Sequence, residues 1–398
     1  FRGLRFSCRF LTLRGMKGSQ GDPSKATPVP MRLALVTEFY YPHLGGVTEH
    51  VHHLALELRR RGHDVTILTS HMKAGHADPP HVRRVGTSRV IYSNGAFARV
   101  TTGWRLTDQI EALLRETGAE LVHVQDGLAP VLGPFAASAA GRMGLPVVST
   151  FHSWFPRSIG YSVFRRPLQR RLDRLAACIA VSAPVVQALS RYLRGSWDII
   201  PNGVDVNLFH PNGRRPTDYL TRGPRLLFLG RLDPRNGLET VLDAMPRILE
   251  SFPRTTLTVA GDGPLRRVYE RAARPLGAAV RFVGRVNGER PEYYGTADLY
   301  LCPTTKASFG ITLLEAMACG TPLVASDIIG FRELVDGGGE AVLVPPRRPD
   351  AWADAVVDLI GDPSRRTAMG ATGRTKAGAY AWPRVTDRIL EVYRRVLR

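Results

Sequence analysis

The feature that most limits the fold is a rhythm that runs through the chain twice. Short apolar runs of buried-strand type alternate with glycine-punctuated loops and amphipathic helical stretches. Leu33-Ala34-Leu35-Val36-Thr37 is the first such run, and Pro42 and Gly45-Gly46 break it. Val47 to Arg61 then carries Val47, Val51, Leu54 and Leu58 at helical spacing, and Gly62-His63-Asp64 stops it. Val65-Thr66-Ile67-Leu68 follows as the next strand, which makes a Rossmann-type βαβ unit. Further strands are expected at Leu121–Val124, Val147–Thr150 and Cys178–Val181. A second alternation opens after a loop-rich stretch at 210–223. It has strands at Arg225–Leu229, Thr256–Ala260, Val280–Val283, Leu299–Leu301 and Leu323–Ser326, and a helix at Leu238–Leu249. Trp382 to Leu397 closes the chain as a helix with Val385, Ile389, Val392 and Val396 on one face.

Two such units in succession predict two α/β domains with a ligand cleft at the carboxyl ends of their strands. The 398 residues suffice for both, and an apolar content of 44% lets each bury a core. The boundaries read as a basic extension at 1–30, a first domain at 31–200, a linker at 201–223, a second domain at 224–377 and a closing helix at 378–398. The extension interleaves Arg2, Arg5, Arg9, Arg14 and Lys17 with Phe, Leu and Cys. Because the first clear strand begins just after Met31, we read 1–30 as a disordered segment outside the fold and Met31 as the favoured start.

Charge and cysteine narrow the function. There are 54 basic against 35 acidic residues, a formal net charge of +19, and nearly all of the basic residues are Arg. Arg-rich codon usage accounts for part of this, and an anionic partner for the rest. With no helix-turn-helix, zinc-finger or RNP signature, an anionic membrane face stands ahead of nucleic acid, and no nucleic-acid partner is expected. Cys8, Cys178, Cys302 and Cys319 are scattered, without a Cys-x-x-Cys pair or a nearby His cluster. That argues against a zinc site or a disulfide framework and suits a reducing cytoplasm. No apolar run reaches the ~18 to 20 residues of a membrane-spanning helix.

Several short stretches suit a diphosphate leaving group, which needs backbone N–H groups at glycine loops and helix starts together with a fixed cation. Gly45-Gly46 precedes a helix start. Gly230-Arg231 ends a strand, with Arg231 directed at the cleft. Ser308-Phe309-Gly310-Ile311 leads into a helix at Thr312–Ala318 that carries Glu315, a carboxylate suited to ribose hydroxyls. Gly261-Asp262-Gly263 is a turn, and His152 follows a strand end. Taken singly, each has an ordinary structural explanation: a turn, a surface arginine, a dipole-matched acid, a core histidine.

Their joint order carries more. Gly45-Gly46, Phe151-His152, Pro201-Asn202-Gly203-Val204-Asp205, Gly230-Arg231-Leu232-Asp233, Gly261-Asp262-Gly263 and Phe309-Gly310 through Glu315-Ala316-Met317-Ala318-Cys319-Gly320 resemble, in this order, the family-four retaining glycosyltransferases over residues 31 to 397. The resemblance implies the GT-B fold, two Rossmann-like doubly wound domains facing across a cleft, with the Trp382 helix crossing back onto the first domain. It also implies a retaining, metal-independent hexosyltransferase that uses a nucleotide-diphosphate sugar as donor and no other cofactor. Within the family the chain is most similar to phosphatidyl-myo-inositol mannosyltransferases, which implies GDP-mannose as a candidate donor and a membrane glycolipid as acceptor. The cue is Tyr92-Ser93-Asn94-Gly95-Ala96-Phe97-Ala98-Arg99, similar to their acceptor loop, and it nominates Tyr92, Asn94 and Arg99. The resemblance assigns His152 to the reacting sugar, Arg231 to the diphosphate, Glu315 to the ribose, the Phe309-Gly310-Ile311 amides to phosphate and sugar, and Gly46 to the β-phosphate. Gly45, Arg235, Gly261, Val286 and Ser308 complete the expected donor site, and a place at the cytoplasmic face of the membrane follows.

Two positions depart from the family pattern. Ala307 stands where a second sugar-gripping Glu is usual, and Asn236 where a Lys is usual, with Arg235 adjacent to offer a charge. The guanine-reading acid expected shortly after Val286 is not evident either; Gly288 and Glu289 lie there. A catalytically weak binding module and a nucleotide-sugar epimerase are therefore the alternative readings. A pyridoxal-phosphate phosphorylase is disfavoured by the scarcity of lysine, and a nicotinamide dehydrogenase by the lack of Gly-x-Gly-x-x-Gly after the first strand. Residues 154 to 174 set Trp154, Phe155, Tyr161 and Phe164 among Arg157, Arg165, Arg166, Arg170, Arg171 and Arg174, which predicts either an interfacial segment or a solvated helix with its aromatics in the core.

Overall fold

The structure, a computed structural model, describes residues 29–43, 45–72, 78–93, 96–128, 132–211, 216, 223–286 and 288–398; at 90–93 and 96–99 it describes the backbone. The first half contains β1 (Arg32–Val36), α1 (Gly46–Arg60), β2 (Asp64–His71), β3 (Val82–Ser93), β4 (Ala96–Thr102), α2 (Leu106–Glu116), β5 (Leu121–Gln125), α3 (Leu132–Arg142), β6 (Val147–Phe151), α4 (Ile159–Val163), α5 (Arg165–Leu172), β7 (Ala177–Ala180), α6 (Ala183–Ser190) and β8 (Asp198–Ile199). The strands form one sheet in the order β4-β3-β2-β1-β5-β6-β7-β8. All neighbours are parallel except β3 and β4, which pair antiparallel from Thr87↔Thr102 to Ser93↔Ala96.

The second half contains β9 (Arg225–Leu229), α7 (Leu238–Ser251), β10 (Thr256–Ala260), α8 (Arg266–Ala272), β11 (Val280–Gly284), α9 (Arg290–Thr296), β12 (Leu299–Cys302), α10 (Ile311–Ala318), β13 (Leu323–Ser326), α11 (Ile329–Arg332), β14 (Ala341–Val344), α12 (Pro349–Gly361), α13 (Pro363–Ala377) and α14 (Trp382–Leu397). Its sheet, β11-β10-β9-β12-β13-β14, is parallel throughout. In each sheet the strand order reverses once, between β1 and β5 and between β9 and β12, and such a reversal opens a crevice outside the strand ends.

These elements follow from burial. β5 and β6 are buried along their whole length, as central parallel strands covered by helices on both faces must be. α1 presents Val51, Leu54, Ala55 and Leu58 inward and starts without a side-chain cap, so its first amide groups remain available. Gly261 adopts φ +139°, and a Cβ there would lie 1.9 Å from the Gly230 carbonyl oxygen. The loops after β9 and β10 can touch backbone to backbone only because that residue is glycine.

Two helix starts differ by one residue from the sequence expectation, α1 beginning at Gly46 and α10 at Ile311, and α7 runs two residues further, to Ser251. The larger difference is at Tyr92–Arg99. The sequence suggested a loop there; Tyr92 and Ser93 instead end β3 and Ala96–Arg99 begin its partner β4, while Asn94 and Gly95 lie outside the described residues.

α14 joins the halves. Val204 and Ala381 form an isolated parallel bridge where the chain crosses between them twice. α14 then packs with α1, and Trp382, Val385, Ile389, Leu390 and Tyr393 share a core with Leu33, Leu35, Leu54 and Leu58. The Trp382 ring stacks on His53 at 5.7 Å, and a Cβ on Gly203 would come within 2.6 Å of it. Trp382→Ala should therefore lower the unfolding free energy by about 3–5 kcal/mol, the usual cost of emptying a buried aromatic site, as read by chemical denaturation.

Candidate active site

The two strand-order reversals place the loops that carry polar groups opposite one another. From the first sheet come the Gly45-Gly46 turn after β1, Gln125-Asp126 after β5 and His152 after β6. From the second come Arg231 after β9 and Ala307–Gly310 after β12. Gly46 and Ile311 meet across the cleft, since a Cβ on Gly46 would lie 3.0 Å from the Ile311 Cδ1 atom. Cross-cleft hydrogen bonds fasten the same region. The Trp154 amide donates to Ser308 Oγ at 2.8 Å, the Ser182 hydroxyl donates to the Ser308 carbonyl at 2.7 Å, and the Ala183 amide donates to Glu333 Oε2 at 2.8 Å. A cavity of about 10 Å³ lies between Glu49, His50, Gly203, Phe209, Glu315 and Trp382, room for about one water molecule.

His152 is 9% exposed. Its amide donates to Asp126 Oδ1 at 2.9 Å, and its Nε2 lies 2.7 Å from Gln125 Oε1, an acceptor, so Nε2 carries the proton. Burial, reinforced by His50 and His123, holds the imidazole well below its usual range, so it is neutral at pH 7. His152 is thus equipped to hydrogen-bond a substrate rather than to meet it with charge. His50, 4.9 Å away ring to ring, bonds Asn202 Oδ1 at 2.9 Å and is lowered to about 4 by burial. Asp126 sits at φ 53°, an uncommon conformation for a residue with a side chain, and burial raises its carboxyl to about 6 against the His152 amide bond.

In the second half, Arg231 is half-exposed, with its Nε 3.8 Å from Asp233 Oδ2. Asn236 does not stand in for a cation. Its Nδ2 donates to the Arg231 carbonyl at 2.7 Å, which fixes the turn that presents Arg231. Arg235 is exposed beside it, its carbonyl taking the Thr305 amide at 2.8 Å. Ser308 is engaged across the cleft, Phe309 is buried in the core, and Gly310 adopts φ +109° with the Phe331 ring 3.0 Å from where a Cβ would be. Val286 packs, partly buried, against the same core. Gly261 is placed by backbone contact with Gly230, a structural reason that the donor-site assignment did not foresee. Asn94 lies outside the described residues, and Tyr92 and Arg99 are described as backbone.

Glu315 is the most elaborated position. Its side chain is 4% exposed and pairs with Arg290 at 2.8 Å, while the Tyr294 hydroxyl donates to its other oxygen at 3.1 Å. Arg290 also reaches Glu49 of α1 at 2.9 Å, and Tyr41 donates to Glu49 at 2.9 Å. Sequence reasoning missed Glu49, Gln125, Asp126 and Arg290. The first lies one turn into the helix behind the Gly45-Gly46 loop, and the next two end a strand at the cleft, both readable positions. Arg290 has no local signal.

Comparison with known proteins gives this geometry its family. Residues 44–208 match the model described as glycosyltransferase family 4, and residues 223–362 the model described as glycosyl transferases group 1. The chain is 33% identical over 374 residues to the phosphatidyl-myo-inositol mannosyltransferase of Mycobacterium tuberculosis, covering 92% of this chain and 97% of that one. It is 30% identical over 403 residues to the glycogen synthase of the same organism, covering 91% and 94%. Among solved structures, Anabaena HepE in complex with UDP and glucose superposes with a TM-score of 0.73 at 20% identity, covering 92% and 99%, a likeness of fold. Two doubly wound parallel sheets facing across a cleft, with a terminal helix returning to the first, are the GT-B architecture, and the chain belongs to the family 4 glycosyltransferases.

Proposed function

We propose that this glycosyltransferase moves a hexose, mannose or glucose, from a nucleotide-diphosphate sugar to a lipid-borne acceptor, with retention of anomeric configuration and without a metal. The observation that carries the reading is the meeting of the Gly46 and Ile311 helix starts across the cleft, with Arg231 on the turn that follows β9 at the strand-order reversal of the second sheet. Two converging sets of free amides and one cation suit a diphosphate. Gly45 and Gly46 would approach the phosphates from the first half, and the Ser308–Ile311 backbone from the second. Because the present cavity holds about one water, donor entry requires the halves to part, loosening the contacts at Ser308. The relatives named as mannosyltransferases favour mannose, whereas the glycogen synthase likeness keeps glucose in play.

On this reading Arg231 faces charge that grows as the diphosphate leaves, so its contribution belongs to the transition state. Neutral His152 would hydrogen-bond the reacting sugar, and a phosphate oxygen would take the proton of the incoming hydroxyl. Glu315 would hold the ribose. Ala307 and Asn236 leave the sugar's far side with fewer polar partners, and the cations next to them in sequence are Lys306 and Arg235.

The lipid acceptor is supported by the ledge that follows His152. Ile159, Val163 and Phe164 are 84%, 68% and 59% exposed, and Arg157, Arg165, Arg166, Arg170, Arg171 and Arg174 are exposed around them. No acid occurs between His152 and Leu172. Trp154, Phe155 and Tyr161 pack instead against the core, so the sequence's two alternatives are divided along the segment. By contrast, the acids of α2 are paired with arginines: Asp108 with Arg105 and Arg142, Glu111 with Arg115 and Arg142, and Glu116 with Arg83. Among the described residues no helix is long and apolar enough to cross a membrane, so a peripheral placement would rest on this ledge.

Radiolabelled transfer from a panel of GDP-, UDP- and ADP-sugars to a lipid extract tests the reaction, with NMR of the product's anomeric centre. An inverted product, or no transfer from any donor, rejects it. Arg231→Ala should lower kcat by about 100-fold or more, as loss of a transition-state charge partner does, and a change confined to KM would reduce it to a ground-state contact.

Changing Arg165, Arg166, Arg170 and Arg171 together to Gln should sharply weaken co-sedimentation with phosphatidylinositol-containing vesicles, each arginine contributing on the order of 1 kcal/mol. The wild-type signal should fall as salt rises. Equal sedimentation of the two proteins, or binding indifferent to salt, would make a soluble acceptor the better reading.

A further inference from the structure

The Glu315 side chain is 4% exposed, an environment that disfavours a lone carboxylate's charge. Burial raises its proton affinity, and the nearby Glu49 carboxylate raises it further. What opposes this is Arg290, the first residue of α9, whose Nη1 contacts Glu315 Oε1 at 2.8 Å while Nη2 contacts Glu49 Oε2 at 2.9 Å. The guanidinium is itself about four-fifths covered and lies over the Phe209 ring at 5.6 Å, so its position is fixed by packing as well as by charge. Of the two carboxylates that share it, Glu49 is the better supplied. Against the burial that raises it, His53, Arg290 and Tyr41 bring Glu49 down to about 2. Glu315 is more deeply buried and has Arg290 as its one cationic partner among the hydrogen bonds described.

We infer that Arg290 is a positioning residue for donor binding: it holds the Glu315 carboxylate ionised and oriented at the cleft while joining it, through Glu49, to the helix that starts at the Gly45-Gly46 loop. The inference rests on the reading that Glu315 takes the ribose hydroxyls. An ionised carboxylate has only acceptor sites, enough to keep Arg290 and Tyr294 and still receive hydroxyl donors, whereas a protonated one gives up part of that capacity. Ribose recognition and the phosphate loop are thereby set by one guanidinium.

The groups facing Glu315 are Arg290 and Tyr294 from α9, Glu49 and His53 from α1, Tyr300 from β12 and Cys319 at the end of α10. Without Arg290, burial and Glu49 raise the proton affinity of Glu315 against Tyr294 and His53 alone, so its charge should be lost toward acid pH and restored as pH rises.

The test is calorimetric titration of the full chain with GDP, UDP and ADP between pH 6 and pH 9, using the best-bound nucleotide throughout. Wild type should show only the titration of the nucleotide's own terminal phosphate, whose second pKa is about 6, and each variant profile is read as its ratio to wild type. Arg290→Gln should bind about 10- to 100-fold more weakly at pH 6, the equivalent of a lost hydrogen bond to a charged group, and should recover as pH rises. Arg290→Lys should restore a flat profile. The double variant Arg290→Gln, Glu315→Gln should bind weakly at every pH. An Arg290→Gln profile that is flat, whether affinity is kept or uniformly lowered, overturns the inference. So does alkaline recovery that persists in the double variant, which would assign the titration to Glu49 or His53. Glu315→Gln alone separates the two levels of the argument: if it binds like wild type, the ribose reading fails whatever Arg290 does.

Discussion

Parallel strand pairing is the constraint from which the rest of the molecule follows. A parallel neighbour can be reached only by a crossover on the face of the sheet, so both faces become covered and every strand except β4 points its carboxyl end the same way. The loops there are the only places in such a layer where polar groups can collect without sitting in a core. Two sheets built in this way, each with one reversal of strand order, produce two such rims, and their opposition supplies the cleft.

What holds the rims together is a mixed seam. A hydrophobic cluster runs from Phe151 and Val181 in the first half through Val204 and Phe209 to Phe309 and Leu313 in the second. Around it lie a few hydrogen bonds to Ser308 and Glu333 and the Glu49–Arg290–Glu315 chain. Bonds of this kind favour one arrangement yet are few enough to be exchanged for bonds to a ligand. The Val204–Ala381 bridge and the packing of α14 on α1 remain at one side, where the two crossings of the chain lie close together.

Buried histidines mark a different economy inside the first half. His50, His123 and His152 are each depressed by burial, and His50 further disfavours charge on the other two, as His123 does on His152. Each has a fixed neutral partner, Asn202, Tyr393 with Thr150, and Gln125 respectively. His152 takes its orientation from Gln125 and Asp126, while α14 reaches the neighbouring histidines directly, through Tyr393 on His123 and Trp382 against His50.

The apolar runs, the glycine loops and the terminal amphipathic helix were legible in order, because strand burial, helical spacing and backbone freedom are local properties with short periods. Arg231, Glu315 and the Gly45-Gly46 loop were recognisable from that order as well. The edge strand β4 and its neighbour β3, in which arginine and polar residues interrupt the apolar ones, did not announce themselves, since neither has a continuous apolar run. The contacts that give the site its chemistry were also hidden. Arg290 lies 241 residues from Glu49, and His152 lies 27 from Gln125. No periodicity links such pairs; they meet because two sheets bring their strand ends to one cleft. The sequence thus determined which elements form and which residues end them, and the tertiary structure decided which charges are buried together, because burial and pairing depend on where distant segments cross.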